Sequence, residues 1–182
     1  MKWYTQPISA LETVPAFQYL RPWQQQMVRL SFELWQREYQ NGTDFPDYSF
    51  VVFPMGKAYE GFLKHFLLDV QLIDDETFRS KKFRIGRALN PDVRYPQRNG
   101  DWLYDDIARE CSPQVARQMW DAWLEGRNRV FHYFPDHEDR LNLAQAGNRL
   151  QQMFEAMQVA VACSTPAVSK ALQELTPTIS LS

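Results

Sequence analysis

Apolar residues recur every three or four positions along four stretches of the chain, which predicts four principal helices. No stretch shows a sustained alternation of apolar and polar residues, so β-strands are not expected. The sequence therefore predicts an all-α fold, arranged as a four-helix bundle with a long basic insert between the second and third helices. The four predicted helices cover residues Pro22 to about Gln40, Pro54 to about Ile73, Pro113 to about Arg129, and about His137 to Cys163.

The same spacing predicts which side chains of the first helix face the core. Trp23, Met27, Leu30 and Leu34 recur at helical intervals, with Phe32 and Trp35 as further candidates, so we expect this face to point inward. Before the second helix, Phe45–Phe53 is expected to be a loop or a short extended piece. Pro54 would then lie in the first helical turn, where a missing N–H costs nothing.

Domain boundaries follow from these elements. Residues 1–20 are predicted to be irregular, apart from a short helix opened by the capping box Ser9–Glu12. Residues 21–163 form the predicted helical domain. Its insert contains two predicted short helices, Thr77–Leu89 and Trp102–Glu110. Residues 164–182 are rich in proline and small polar residues, which predicts a loosely held tail.

Composition supports one folded domain and limits the kind of partner. The 182 residues are 45% apolar and 14% aromatic, which is enough for a sizeable core. The net charge of −2 means that any contact with nucleic acid must depend on a local basic patch. The chain has no P-loop, no dinucleotide-binding glycine motif and no serine nucleophile elbow, so those enzyme classes gain no support.

Several features predict a cytoplasmic protein. The first residues lack the charged and apolar regions of a signal peptide, and no apolar stretch approaches the roughly 20 residues that span a bilayer. Cys111 and Cys163 have no CxxC spacing, so we expect two buried free thiols. We therefore expect neither a membrane partner nor a disulfide.

Residues 79–98 form the basic segment. Seven cations stand there against a single acid, Asp92, in a chain whose net charge is negative. Such a patch attracts phosphate, and Tyr95 among the cations can stack on a base. Two alternatives remain open, a docking site for an acidic inhibitor protein and an ordinary solvated face. The seven cations are Arg79, Lys81, Lys82, Arg84, Arg87, Arg94 and Arg98.

The residues best suited to chemistry stand at the junction of the third and fourth predicted helices. Arg127 and Asn128 are adjacent, and His132 follows the arginine by five positions. A histidine can take a proton from the 2′-OH of RNA near neutral pH, and a guanidinium can stabilise the crowded phosphorane. Asn128 can orient either group through its amide. This chemistry requires neither a metal nor a cofactor.

The R-N-x-x-x-H pattern resembles the R-x(4–6)-H motif of the HEPN superfamily. In addition, residues Tyr59–Lys64 read YEGFLK and resemble the (F/Y)-E-G-(F/Y)-L-K helix of the RnlA/LsoA (RNase LS) toxins, whose C-terminal domain is a HEPN ribonuclease. The resemblance covers roughly residues 50–160. The chain departs from that family in lacking its additional N-terminal domains, which leaves the cognate inhibitor open.

The resemblance implies an endoribonuclease that acts as a toxin in a toxin–antitoxin or anti-phage system. It implies a homodimer with one composite cleft, an RNA substrate and an antitoxin protein as partner. Glu60 joins the predicted catalytic residues, because it can fix the position of Arg127 or of His132. The predicted RNA-binding residues are Lys64, Lys81, Lys82, Arg84, Arg87, Arg129 and Tyr133.

Plainer interpretations stand beside this one. Arg127 and Asn128 can merely cap a helix, and Glu60 can form a surface ion pair with Lys57 or Lys64. The chain would then be a non-catalytic helical interaction protein. A third interpretation is a HEPN partner of a nucleotidyltransferase antitoxin that modifies the chain near Tyr133. The acidic cluster at residues 136–139 fits a helix N-terminus better than a metal site, because consecutive helical residues point in different directions.

Overall fold

The computed structural model describes residues 2–133, 135 and 140–163. Within these residues the chain is mainly helical and contains no β-strand, which confirms the all-α prediction there. Two 3-10 turns, Trp3–Thr5 and Tyr95–Gln97, and one π-helical turn, Leu124–Asn128, complete the described elements. The α-helices are α1 (Ile8–Glu12), α2 (Pro15–Tyr19), α3 (Pro22–Asn41), α4 (Ser49–Asp69), α5 (Asp75–Arg79), α6 (Ile85–Ala88), α7 (Tyr104–Glu110), α8 (Pro113–Trp123), α9 (Arg129–Phe131) and α10 (Leu143–Val161).

Helix α4 lies at the centre of the fold. It packs against α3 on one side and against α10 on another, and α10 also packs against α8. Because neighbours surround it, α4 buries residues on several faces, including Val51, Met55, Tyr59, Phe62 and Phe66. Any side chain that α4 exposes is therefore held at a fixed position relative to the other long helices.

The buried face of α3 differs from the predicted one. Trp23 is 50% exposed and Leu30 is also exposed, so the prediction that both face inward is wrong. The reason is that half of the buried positions are polar and do not register as an apolar stripe. Ser31, for example, accepts a hydrogen bond from the backbone N–H of Met55. The buried residues are Gln24, Val28, Ser31, Phe32, Trp35 and Glu38.

Helix α4 begins at Ser49, so the predicted loop before Pro54 is wrong and the proline lies inside the helix. The start is stabilised by Asp47, whose Oδ1 accepts from the backbone N–H and the hydroxyl of Ser49. A proline inside a helix removes a donor and crowds the preceding turn. The Met55 N–H, next along the chain, is satisfied by Ser31 of α3 at 2.8 Å.

The connection from α4 to α8 is long, as predicted, but its helices are shorter. The expected helix Thr77–Leu89 is divided into α5 and α6 by the non-helical residues 80–84. Helix α8 starts as predicted, because the Ser112 hydroxyl accepts from the N–H of Val115 and Pro113 occupies the first position. Its α-helical part ends at Trp123, but the chain stays helical through the π-helical turn and α9, so the helical run reaches the predicted Arg129.

Helix α10 begins at Leu143, where Asn142 and Gln145 form a capping box. The prediction placed this start near His137, which lies outside the described residues together with the acidic cluster at 136–139. The predicted tail at 164–182 lies outside them as well. At the other end of the chain, residues 3–19 form short helices rather than an irregular segment, and Ser9 lies inside α1 rather than at its cap.

The two cysteines are joined by a disulfide, so the expectation of free thiols is wrong. Cys111 follows α7 and Cys163 follows α10, and their Cα atoms lie 5.4 Å apart. The bridge joins residues 52 positions apart, a proximity that only the packing of α10 near the α7–α8 corner creates. Disulfides persist mainly in oxidising compartments. The cysteines therefore no longer support a cytoplasmic location.

Among the described residues, no helix combines the length and the hydrophobicity that a membrane crossing requires.

Candidate functional site: a cationic cleft around Arg127

The residues of the R-N-x-x-x-H pattern begin in the π-helical turn that follows α8. In this turn the N–H of Arg129 reaches back five residues to the carbonyl of Leu124. Such turns carry an extra residue and frequently occur at functional sites. Gly126 lies in the turn, and a Cβ atom there would come within 2.8 Å of the Met153 side chain. The turn therefore rests directly against α10.

The end of the motif segment rests on α4. The ring of Phe131 lies so close to Gly56 that a Cβ at that glycine would come within 2.7 Å of it. The same ring contacts Phe53, with centroids 4.6 Å apart. Gly56 and Glu60 are one turn apart on α4 and so share a face. Seating Phe131 on Gly56 therefore brings the motif beside Glu60.

The guanidinium of Arg127 contacts both Glu60 and His132. Its Nε and Nη2 atoms each lie 2.9 Å from Oε2 of Glu60, while Nη1 lies 3.4 Å from Nε2 of His132. A guanidinium only donates hydrogen bonds, so Nε2 is the acceptor and the imidazole proton is assigned to Nδ1. The arrangement places the imidazole of His132 beside a cation that Glu60 holds in position.

These side chains open into a cleft of about 450 Å³. The basic segment forms its opposite wall, so the cleft is rich in cations and has one acid, Glu60, which is paired with Arg127. A cleft of one sign of charge concentrates anions of the opposite sign. Its lining residues are Glu60, Lys64, Ser80, Lys81, Phe83, Arg84, Ile85, Gly86, Arg87, Trp123, Arg127, Asn128 and His132.

The contact between Gly86 and Trp123 holds the basic wall in place. A Cβ atom at Gly86 would lie 2.1 Å from Cη2 of Trp123, so only glycine lets α6 approach the indole this closely. Trp123 stacks in turn on Trp120, with ring planes 17° apart. Buried Ile85 anchors the same segment, whereas Arg87 points outward. Arg87 is thus carried on a short helix that contacts Trp123 at the end of α8, and Lys81 and Arg84 lie in the non-helical residues just before that helix.

The structure brings most of the predicted site residues together. All four predicted catalytic residues, Arg127, Asn128, His132 and Glu60, line the cleft, as do the predicted RNA-binding residues Lys64, Lys81, Arg84 and Arg87. Glu60 pairs with Arg127 across 67 positions of sequence, rather than with a lysine of its own helix.

Three predicted RNA-binding residues do not line the cleft. Arg129 forms an ion pair with Glu125, which also pairs with Arg149 at 2.8 Å. Lys82 is exposed and lies outside the cleft lining. Tyr133 is 81% exposed, next in sequence to His132.

Sequence reasoning missed the wall formed by Trp123 and Gly86. Trp123 falls within the third predicted helix, and no motif in the sequence marks it as part of a cleft. Its indole Nε1 is buried and has no hydrogen-bond partner among the described residues. The available signal was a single glycine within a run of cations and large apolar residues at positions 81–89.

No group of three or more His, Cys, Asp or Glu side chains with a geometry suited to a metal ion occurs in the described part of the chain. No protein-family model matches the chain, and comparisons with curated proteins and with solved structures find no similar protein.

Proposed function

We propose that the chain is a metal-independent endoribonuclease of the HEPN type. The observation that carries the proposal is the position of Arg127, whose guanidinium contacts both Glu60 and His132 at the edge of a cationic cleft. The resemblance of the R-N-x-x-x-H and YEGFLK segments supports the assignment, since the two segments meet in that cleft. A charge-stabilising cation beside a proton acceptor is what cleavage of RNA by its own 2′-OH requires.

In the proposed reaction the 2′-oxygen of a ribose attacks the adjacent phosphorus and the bond to the 5′-oxygen of the next nucleotide breaks. His132 takes the 2′-OH proton through Nε2 once the substrate phosphate draws the Arg127 guanidinium toward itself. Arg127 then stabilises the negative charge that builds up on the phosphorane oxygens. The departing 5′-oxygen gains a proton, and the products end in a 2′,3′-cyclic phosphate and a 5′-OH.

Glu60 acts in this mechanism as a positioning residue. It accepts from two nitrogens of Arg127 and leaves Nη1 directed at His132. Lys64, Lys81, Arg84 and Arg87 line the same cleft and would hold the flanking phosphates.

The proposal includes a homodimer in which two motifs face each other. Apolar rings lie on the surface beside the motif, with Phe53 41% exposed and packed on Phe131. Tyr133 follows His132 and is also exposed. Exposed aromatic surface of this kind is enriched at protein interfaces. In such a dimer the motif of the second copy can deliver the proton to the departing 5′-oxygen.

We also propose that the protein is a toxin, restrained by an antitoxin protein, and that it acts on RNA in the cytoplasm. Support for the toxin and the antitoxin comes from the resemblance alone, and the disulfide between Cys111 and Cys163 adds nothing in favour of the cytoplasm. An antitoxin could occupy the cationic cleft with acidic side chains, which would compete directly with RNA.

The deciding experiment incubates the purified protein with labelled RNA, with and without EDTA, alongside DNA of the same sequence. We expect cleavage of RNA that EDTA leaves unchanged, 2′,3′-cyclic phosphate ends, and intact DNA, because DNA lacks the 2′-OH. Cleavage of the DNA, or activity that EDTA removes and magnesium restores, would contradict the mechanism. RNA binding without cleavage would favour the non-catalytic interaction protein.

A further inference from the structure

A second polar cleft adjoins the one around Arg127. It has a volume of about 550 Å³ and is formed by the later part of the basic segment. Arg87 is exposed and lines both clefts, so the two clefts meet at its side chain. The lining residues of the second cleft are Arg87, Val93, Pro96, Gln97, Arg98 and Asn99.

The second cleft is held together by hydrogen bonds to backbone carbonyls. Arg87 Nη2 donates to the carbonyl of Gln97 at 3.0 Å, and Arg98 Nε donates to the carbonyl of Val93 at 3.0 Å. The indole N–H of Trp102 donates to the carbonyl of Asn90 at 2.8 Å. These bonds fix the position of two cations relative to the loop that carries them.

Tyr95 stands at the outer edge of this loop. Its ring is 83% exposed, more than any other large apolar side chain that the structure describes. The guanidinium of Arg98 lies between two rings, 4.0 Å from the centroid of Trp102 and 5.9 Å from that of Tyr95. A planar cation backed by a buried indole thus supports an aromatic ring that faces solvent.

We propose that the two clefts form one path for single-stranded RNA, with a base stacked on Tyr95. This inference rests on the proposed function and extends it by naming the substrate class. The RNA backbone would pass from one cleft to the other with a phosphate bound to Arg87, and an unpaired base would stack on the ring of Tyr95. Backbone contacts to cations combined with stacking on aromatic rings are typical of proteins that bind single strands with little sequence preference. Asp105 pairs with Arg98 at 3.9 Å, but Asp105 is not among the residues that line the second cleft, and none of those is acidic.

The test measures binding apart from cleavage. Fluorescence anisotropy is recorded with 2′-O-methyl oligouridine, which has no free 2′-OH, in lengths of about three and about twelve nucleotides. The shorter length falls below, and the longer one within, the single-strand site sizes of roughly 4–16 nucleotides. Tyr95→Ala should weaken binding of the longer probe roughly 5- to 150-fold, the range expected for loss of one stacked base. Binding of the shorter probe should not change, and Tyr95→Trp should restore the affinity for the longer one.

Tyr39→Ala is the matched control. Tyr39 is also an exposed tyrosine, at 67%, but it lies on α3 outside both clefts, so its removal should change neither probe. Arg87→Gln should lower the salt dependence of the longer probe by about 0.7 in the slope of log K against log salt, the value for one phosphate contact on a single strand. Circular dichroism verifies that each variant is folded.

The outcomes separate this inference from the proposed function. If Tyr95→Ala leaves binding of the longer probe unchanged while the protein still cleaves RNA, the RNA path is overturned and the catalytic proposal stands. If binding depends on Tyr95 but the protein does not cleave RNA, the RNA path is supported and the proposed endoribonuclease activity is contradicted. Equal effects of Tyr95→Ala on both lengths, or equally strong Tyr95-dependent binding of a fully paired duplex, would overturn the single-strand assignment. An antitoxin-binding surface, rather than an RNA path, predicts no effect of Tyr95→Ala on either probe.

Discussion

Arg127 and Glu60 are 67 positions apart in sequence, yet both Nε and Nη2 of the arginine lie 2.9 Å from one carboxylate oxygen. This pairing sets the direction of the third nitrogen, Nη1, toward His132. Because the guanidinium is planar, holding two of its nitrogens determines where the third points. The pair therefore joins α4 to the motif segment and orients its cation at the same time.

The first prediction concerns Arg127 and His132. Arg127→Ala should lower the rate of RNA cleavage by about 10²- to 10³-fold, and His132→Ala by about 10²- to 10⁴-fold, the usual effects of losing a charge-stabilising donor and a proton-transfer group. Expression of either variant should be harmless to cells. Arg117→Ala is the control, because Arg117 is an exposed α8 arginine that pairs with Asp121 away from the cleft. Full activity in His132→Ala would remove the site assignment.

The second prediction tests whether Glu60 only orients Arg127 or also takes part in proton transfer. Glu60→Ala removes the acceptor that orients Arg127, so cleavage should fall to a level between wild type and Arg127→Ala. Glu60→Gln keeps an oxygen acceptor and should retain more activity than Glu60→Ala. Single-turnover rates measure both variants. A Glu60→Gln variant as inactive as His132→Ala would indicate that the carboxylate itself takes part in proton transfer.

Two helix starts were predictable because local chemistry determines them. Helices α3 and α8 begin at Pro22 and Pro113 as predicted, and α3 ends close to the predicted Gln40, where Gly42 adopts the left-handed conformation. The buried face of α3 was not predictable from hydrophobicity. Its polar residues Ser31 and Gln24 are buried because they form hydrogen bonds with Met55 and His65 of α4, which are distant in sequence.

The candidate site, too, has a part that the local sequence predicts and a part that depends on tertiary packing. A local pattern was enough to single out Arg127, Asn128 and His132. Their π-helical turn was not predicted, because it depends on the contact of Gly126 with Met153 of α10. The cleft wall likewise depends on tertiary packing.

The third prediction tests that wall. Gly86→Ala places a methyl group against the rigid Trp123 indole, so α6 or the indole must move. Overpacking of this kind typically costs about 1–3 kcal/mol of stability. Affinity for RNA should fall as well, because Lys81, Arg84 and Arg87 shift with the segment. Gly100→Ala provides the comparison, since a Cβ there meets open space and should change neither property. Unfolding in urea and anisotropy binding measure the two effects.

The fourth prediction concerns the disulfide. Replacing Cys111 and Cys163 by serine, or reducing the wild type, should lower the free energy of unfolding by about 2–4 kcal/mol, because the open chain gains entropy when unfolded. The double variant should not respond to reductant. Neither cysteine lines the cleft, so cleavage well below the melting temperature should be unchanged. An unaltered melting temperature on reduction would mean that the bridge does not form in solution.

The fifth prediction is a pH dependence of stability that arises from Asp47. Partial burial opposes ionisation of this carboxyl, but hydrogen bonds from the Leu141 N–H and from the N–H and hydroxyl of Ser49 outweigh it and hold its pKa below the usual value. A lowered folded-state pKa means that the stabilisation is fully present above the unfolded value of about 4 and is lost as pH falls through the folded value.

The carboxylate of Asp47 joins the start of α4 to the residue before the α10 cap, so the loss should be seen as global destabilisation. Asp47→Asn should lower the free energy of unfolding by about 1 kcal/mol at pH 7, after allowing for partial exposure. The difference between wild type and variant should begin to shrink as pH falls below about 4 and should continue to shrink as pH falls through the lowered folded-state pKa, where the aspartate becomes neutral like asparagine. Urea unfolding at pH 7, 5, 4 and 3 measures this difference. A constant difference across that range would show that geometry, rather than the charge of Asp47, provides the stabilisation.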